Sequence, residues 1–175
     1  MILVSYDGSA DARAAIDRAA HLMPGAEATV LTVWEPFRDI MTRTGSMGMG
    51  RGMGMGMDIG GSYAELEEID AASRESALSS ATEGAERAAA AGLIAQPRSV
   101  SRHGGVANTI LAAAAEVDAD LVVMGTRGLS GVESFLLGSV SHAVVHHADR
   151  AVLVVPSPAL AKRRRDWVHR DESPA

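Results

Sequence analysis

The stretch GTRGLSGVESFLLGSV, residues 125–140, places glycines at Gly125, Gly128 and Gly138, with Ser139 after the last. An apolar run precedes it and a helix-like run follows. Gly125 lacks a Cβ and lets another group approach the backbone where a strand ends. Gly128 reads as a turn residue able to adopt positive φ. Gly138 and Ser139 open a helix, whose free N–H groups and dipole, with a serine hydroxyl, make an anion site. The spacing therefore points to a phosphate chain lying in the loop 126–139. The competing reading is a plain strand–turn–helix connection with glycines for close packing.

Other residues invite chemistry. Asp7 follows the apolar run MILVSY, where an acidic side chain can hold ribose hydroxyls or a magnesium ion. It also reads as an ordinary turn aspartate ahead of a helix. His142 and His146 stand four apart in a helical pattern and could share a metal, or be a surface or packed pair. No third ligand is close in sequence, and His147 is placed on the apolar face. Six of the nine methionines fall in EPFRDIMTRTGSMGMGRGMGMGMDIGG, interleaved with glycine. Thioethers suit Cu(I), but a run with no packing period reads first as a flexible loop, or as a lid over a ligand. Its repeated G-x-G steps never complete G-x-G-x-x-G, and no strand leads straight into it.

Composition removes several classes. The 175 residues include no cysteine, which excludes disulfides, thiolate metal sites and a cysteine nucleophile. Lys162 is the only lysine, so residues 1–156 hold no GxxxxGK[ST] loop and no Schiff-base lysine. Five of the 16 basic and three of the 22 acidic residues lie in 157–175, so that tail is +2 and residues 1–156 carry −8 of the total −6. An acidic body is a poor platform for nucleic acid, and KRRR at 162–165 reads as a solvated tail. The opening MILVSYDGSA has no basic leader and too few apolar residues to cross a membrane, so a cytoplasmic protein is expected.

The elements that must position these residues alternate. Strand-like runs are 1–6, 27–34, 96–103, 119–125 and 151–156. Helical patterns follow Ser9, cover about 62–92, and follow Gly105 and Gly138. Helices between strands demand parallel pairing with right-handed crossovers, and short all-apolar strands suit a sheet covered on both faces. The expected fold is α/β, a doubly wound Rossmann-like sheet of five parallel strands. Ligands bind such sheets at the carboxyl ends of the strands, where the order reverses. In the order 3-2-1-4-5, Asp7 and the 125–140 loop face one crevice.

The pattern G-x2-G-x9-G-[S/T], met by Gly125, Gly128, Gly138 and Ser139, resembles the nucleotide loop of the universal stress protein family. ILVSYDGS resembles its first strand and turn, TVLTVWEP its second strand, ADLVVMGTRG its fourth, and LLGSVSHAVVHHADRAVLVVP its last helix and strand. The similarity spans residues 1–156 except for an apparent Gly/Met insertion at about 42–61, and leaves 157–175 as a basic tail expected to be disordered. RHGGVANTI has glycine where the family often has proline.

The resemblance implies the order 3-2-1-4-5, helices on both faces, and a homodimer through the last strand, 151–155. It implies ATP as ligand, with Mg²⁺ held through Asp7. Ser5 and Asp7 would lie against the ribose and nucleoside, and Val33 near the adenine. Met124 and Gly125 would line the strand end, with Gly128, Gly138, Ser139 and Val140 around the phosphates. Arg127 and Ser130 lie inside the loop and add phosphate contacts, an assignment from position and charge only. The expected function is an ATP-binding, nucleotide-responsive stress regulator with at most slow hydrolysis. Alternatives are an AMP or cyclic-AMP binder, a true ATPase, and a nucleotide-free dimeric interaction module.

Overall fold

Alternate side chains of the first strand enter two different cores. The computed structural model describes residues 1–37, 39–41, 63–128 and 137–168. Strand β1 is Ile2–Ser5. Ile2, Val4 and the following Tyr6 belong to one buried cluster and Leu3 to the other. A strand with apolar residues on both faces must be central and covered twice.

The chain continues through α1 (Ala10–Leu22), β2 (Glu27–Trp34), α2 (Tyr63–Ala90), β3 (Ile94–Ser101), α3 (Val106–Glu116), β4 (Leu121–Gly125), α4 (Ser139–His147), β5 (Ala151–Val155) and α5 (Pro158–Val168). All strand pairs are parallel and the sheet order is β3-β2-β1-β4-β5, as expected from the sequence. The third strand starts two residues earlier than its pattern suggested. It carries Pro97, which an edge strand tolerates because its outer N–H row is unpaired.

Small residues set the helices close. On α1, Ala12, Ala15, Ile16 and Ala19 are buried; on α2, Ala77, Ala81, Ala85 and Ala88. Both helices cover the Ile2–Val4–Tyr6 face. Ile110, Ala113 and Ala114 of α3 and Val144 of α4 cover the Leu3 face with Leu31, Val122 and Met124. Each fully buried aliphatic side chain in these layers contributes about 1.5–3 kcal/mol.

Tyr6 ties α2 to the end of β1. Its ring lies where a Cβ on Gly84 would come to 2.8 Å, so position 84 has no room for a side chain. Its hydroxyl donates to Glu83 at 2.9 Å, and Arg13 of α1 reaches the same carboxylate at 3.3 Å. Burial pushes the Tyr6 phenol up, helped by the Glu83 hydrogen bond, and that hydrogen bond holds Glu83 below the usual carboxylate range.

Part of the basic tail departs from the composition-based expectation, while residues 169–175 lie outside the described residues. Pro158–Val168 is helical, started by Ser157, whose carbonyl accepts from Ala161 N–H at 2.8 Å and whose Oγ accepts from Leu160 N–H at 3.4 Å. Leu160 is buried and anchors the helix. Charge density pointed to disorder, but a serine cap with proline at the first helical position is a start signal. A groove of about 610 Å³ runs between α1, β5 and α5, lined by Ala14, Asp17, Leu153, Val155, Pro158 and Arg165 among others. The Gly/Met stretch 42–61 lies outside the described residues.

Candidate functional site

The switch point falls between β1 and β4, where the chain leaves β1 leftward to β2 and β4 rightward to β5. At the carboxyl end of β1, Asp7 Oδ1 accepts from Ser9 N–H at 3.0 Å, closing an Asx turn. Gly8 turns the chain there at φ 77, a value costly for any residue with a Cβ. Ser9 then caps α1, its Oγ accepting from Ala12 N–H at 3.1 Å and donating to the Arg127 carbonyl at 3.3 Å. One serine thus joins the turn after β1 to the turn after β4.

Gly125, Gly128 and Gly138 each meet a different wall. A Cβ on Gly128 would lie 2.6 Å from Asp7 Oδ2. The exposed Asp7 carboxylate therefore packs directly against the bare backbone of Gly128. Gly128 is not among the positive-φ residues, so its turn-conformation reading is corrected: it is needed for the space. A Cβ on Gly125 would meet the Asp11 backbone at 2.8 Å and Ala12 N at 2.9 Å. That corrects a second reading, because what approaches Gly125 is α1 and not a ligand. A Cβ on Gly138 would lie 3.0 Å from the Thr126 carbonyl and 3.4 Å from Arg127 Cα. Glycine at 138 brings the start of α4 down onto the end of β4.

That seat is fastened by hydrogen bonds. Gly138 N–H donates to the Thr126 carbonyl at 2.9 Å, and Thr126 N–H to the Val155 carbonyl at 2.9 Å. Buried Ser141 Oγ lies 2.9 Å from the Gly125 carbonyl and 3.0 Å from that of Thr126. Ser141 was not singled out in the sequence. Its signal was a polar residue three before Val144, on the side of the helix that is buried. Thr126 Oγ1 and Asp11 Oδ2 are buried with no hydrogen-bond partner among the described residues.

The other expected site residues are placed as follows. Ser5 is the half-buried last residue of β1, paired in register with Leu31. Val33, two residues further along β2, is half-buried and pairs in register with Val100. Met124 is buried in the α3/α4 core, so its side chain serves packing. Ser139 is the exposed first residue of α4, and Val140 and Arg127 are half-buried. Ser130 lies outside the described residues. His147, expected on the apolar face, is exposed, with His142 and His146. Among the described residues no group of three or more His, Cys, Asp or Glu is arranged to hold a metal ion.

Asp7, Gly128 and the start of α4 lie at the switch point of the sheet, the place where doubly wound folds take ligands. The sequence matches the universal stress protein family over residues 1–156. The chain belongs to that family. The universal stress protein YxiE of Bacillus subtilis is 31% identical over 155 residues, covering 88% of this chain and 97% of YxiE. The putative universal stress protein SSP1056 of Staphylococcus saprophyticus is 48% identical over 59 residues, 34% of this chain, and that match spans only 35% of the relative.

Among solved structures, the hypothetical protein MJ0577 superposes with a TM-score of 0.66 at 21% identity, covering 89% of this chain and 94% of that one. A universal stress protein in complex with cAMP gives 0.55 at 25% identity, covering 89% and 95%. The Archaeoglobus fulgidus universal stress protein in complex with dAMP gives 0.52 at 20%, covering 88% and 95%. Within the family frame the expected strand order and Rossmann-like architecture hold. Among the described residues no helix is long and apolar enough to cross a membrane.

Proposed function

We propose that this universal stress protein binds an adenine nucleotide at the switch point, with ATP as its ligand. The observation that carries the reading is the 2.6 Å approach of a Gly128 Cβ position to Asp7 Oδ2. It leaves an exposed carboxylate facing bare backbone, beside a helix N-terminus. The cAMP and dAMP complexes of the structural neighbours support an adenine nucleotide as the ligand class.

In this reading Asp7 and Ser5 hold the ribose, and Val33 lies against the base. Gly128, Gly138, Ser139 and Val140 receive the phosphates, with Arg127 and Ser130 adding charge and a hydroxyl. Met124 and Gly125 shape the strand end from behind. Mg²⁺ would arrive with the phosphates, Asp7 adding one oxygen to those of phosphate and water, which matches how loosely Mg²⁺ is held by protein alone. The function is binding, with hydrolysis slow at most, and the protein acts as a nucleotide-responsive regulator in the cytoplasm. Its homodimer forms through β5, which is at the sheet edge.

Competition among ATP, AMP and cyclic AMP for one fluorescent adenine nucleotide, with Mg²⁺, tests the reading. ATP should displace the probe at the lowest concentration, and Asp7→Ala should abolish binding. Preference for AMP or cyclic AMP would assign those instead. Absence of binding in folded protein would leave the interaction-module reading. Multiple turnovers lost in Asp7→Ala would mark an ATPase.

A further inference from the structure

The nucleotide reading uses Ser139 and Val140 in the first turn of α4 and makes no use of the histidines further along it. His142 and His146 lie there one helical turn apart, both exposed. Their rings are parallel to within 4° with centroids 6.2 Å apart. His147 closes on His146 edge-on, with centroids 4.7 Å apart and an angle of 81°. Among the described residues no hydrogen bond or ion pair occupies any of the three imidazoles. The fold's own needs on this helix are met by buried Ser141 and Val144.

We propose that His142 and His146 form a binding site for a divalent late transition metal ion, of which zinc is the representative. Side chains four apart share a helix face, and imidazole is a preferred ligand of zinc, copper and nickel. With Zn–N bonds of about 2.0–2.1 Å, two imidazoles at a tetrahedral angle have centroids about 5 Å apart. The rings are stacked, so both must turn for one in-plane nitrogen of each to converge on a shared ion, a side-chain rearrangement open to exposed groups. His146 and His147 are in the last turn of α4, where the helix dipole favours positive charge. The edge-on contact from His147 limits how far the His146 ring can swing. With two protein ligands, water completes the shell.

The test is calorimetric titration of zinc chloride into the untagged full chain, free of nucleotide and phosphate. Wild type should bind about one zinc per chain. His142→Ala and His146→Ala should each weaken binding about tenfold or more, while His21→Ala on α1 leaves it unchanged. Zinc should also raise the thermal midpoint of wild type and of His21→Ala, but not of the other two. The proposal fails if wild type takes up no zinc. It fails equally if His142→Ala binds as wild type does, or if His21→Ala loses as much affinity as the α4 variants.

Discussion

Gly125 and Gly128 are three residues apart in one loop and do different work. A methyl group at 125 runs into the backbone of α1, whereas one at 128 runs into the Asp7 carboxylate. Gly125→Ala should therefore destabilise the fold by about 1–3 kcal/mol through overpacking, read as a lower midpoint in urea. Gly128→Ala should keep a midpoint near wild type, because the residue is exposed, and lose nucleotide affinity by about tenfold, or ~1.4 kcal/mol. Equal loss of stability in both would refute that division. The spacing of these glycines was legible in the sequence, but the reason for each was not. A glycine needed for helix packing and one needed beside a carboxylate look alike until the elements are docked. Ser141 was hidden for a related reason, since its partners are backbone carbonyls sixteen and fifteen residues away.

At the scale of elements, the end of β1 is held from α2. Tyr6 stands between Ser5 and Asp7 in the chain, is buried, and hydrogen-bonds Glu83. Because the folded state holds the Tyr6 phenol above its ordinary value, the phenol's contribution to stability should be constant below about pH 10, its unfolded value. It should then fall as pH rises through the folded value, since the unfolded chain releases that proton first. Chemical denaturation across the alkaline range checks this, and Tyr6→Phe should flatten the fall. Glu83 runs the other way: its folded value is depressed, so its contribution is present above the ordinary carboxylate range and is lost as pH falls through the folded value. The strands and the helix after Ser9 were readable because periodicity and capping are local. The Tyr6–Glu83 contact spans 77 residues, and no local pattern announces it.

For the whole molecule, the parallel order β3-β2-β1-β4-β5 sends the chain in opposite directions from the neighbouring strands β1 and β4, which makes their ends the switch point. Alternation of strands and helices, with β1 apolar up to Ser5 and β4 apolar throughout, made this architecture legible. The helical state of Pro158–Val168 was not, because its charge-rich composition outweighed one Ser-Pro start signal and one apolar anchor. Leu160 is 1% exposed, so Leu160→Ala should cost about 2–5 kcal/mol if the helix is an integral part of the fold. A change near zero in thermal or urea unfolding would show that α5 adds nothing to the stability of the sheet.

The central claim is that the start of α4 receives the phosphates of an adenine nucleotide. Gly138→Asp is a poor test, since any side chain there meets the Thr126 carbonyl. Ser139 is exposed in the first turn of α4, where a carboxylate favours the helix by about 0.3–1 kcal/mol but repels phosphate. The measurement to make is calorimetric titration of ATP with Mg²⁺ into wild type and into Ser139→Asp. Saturable binding in wild type and none in a variant that is at least as heat-stable is the predicted result. Equal binding by the variant, or no binding by folded wild type, would contradict the assignment.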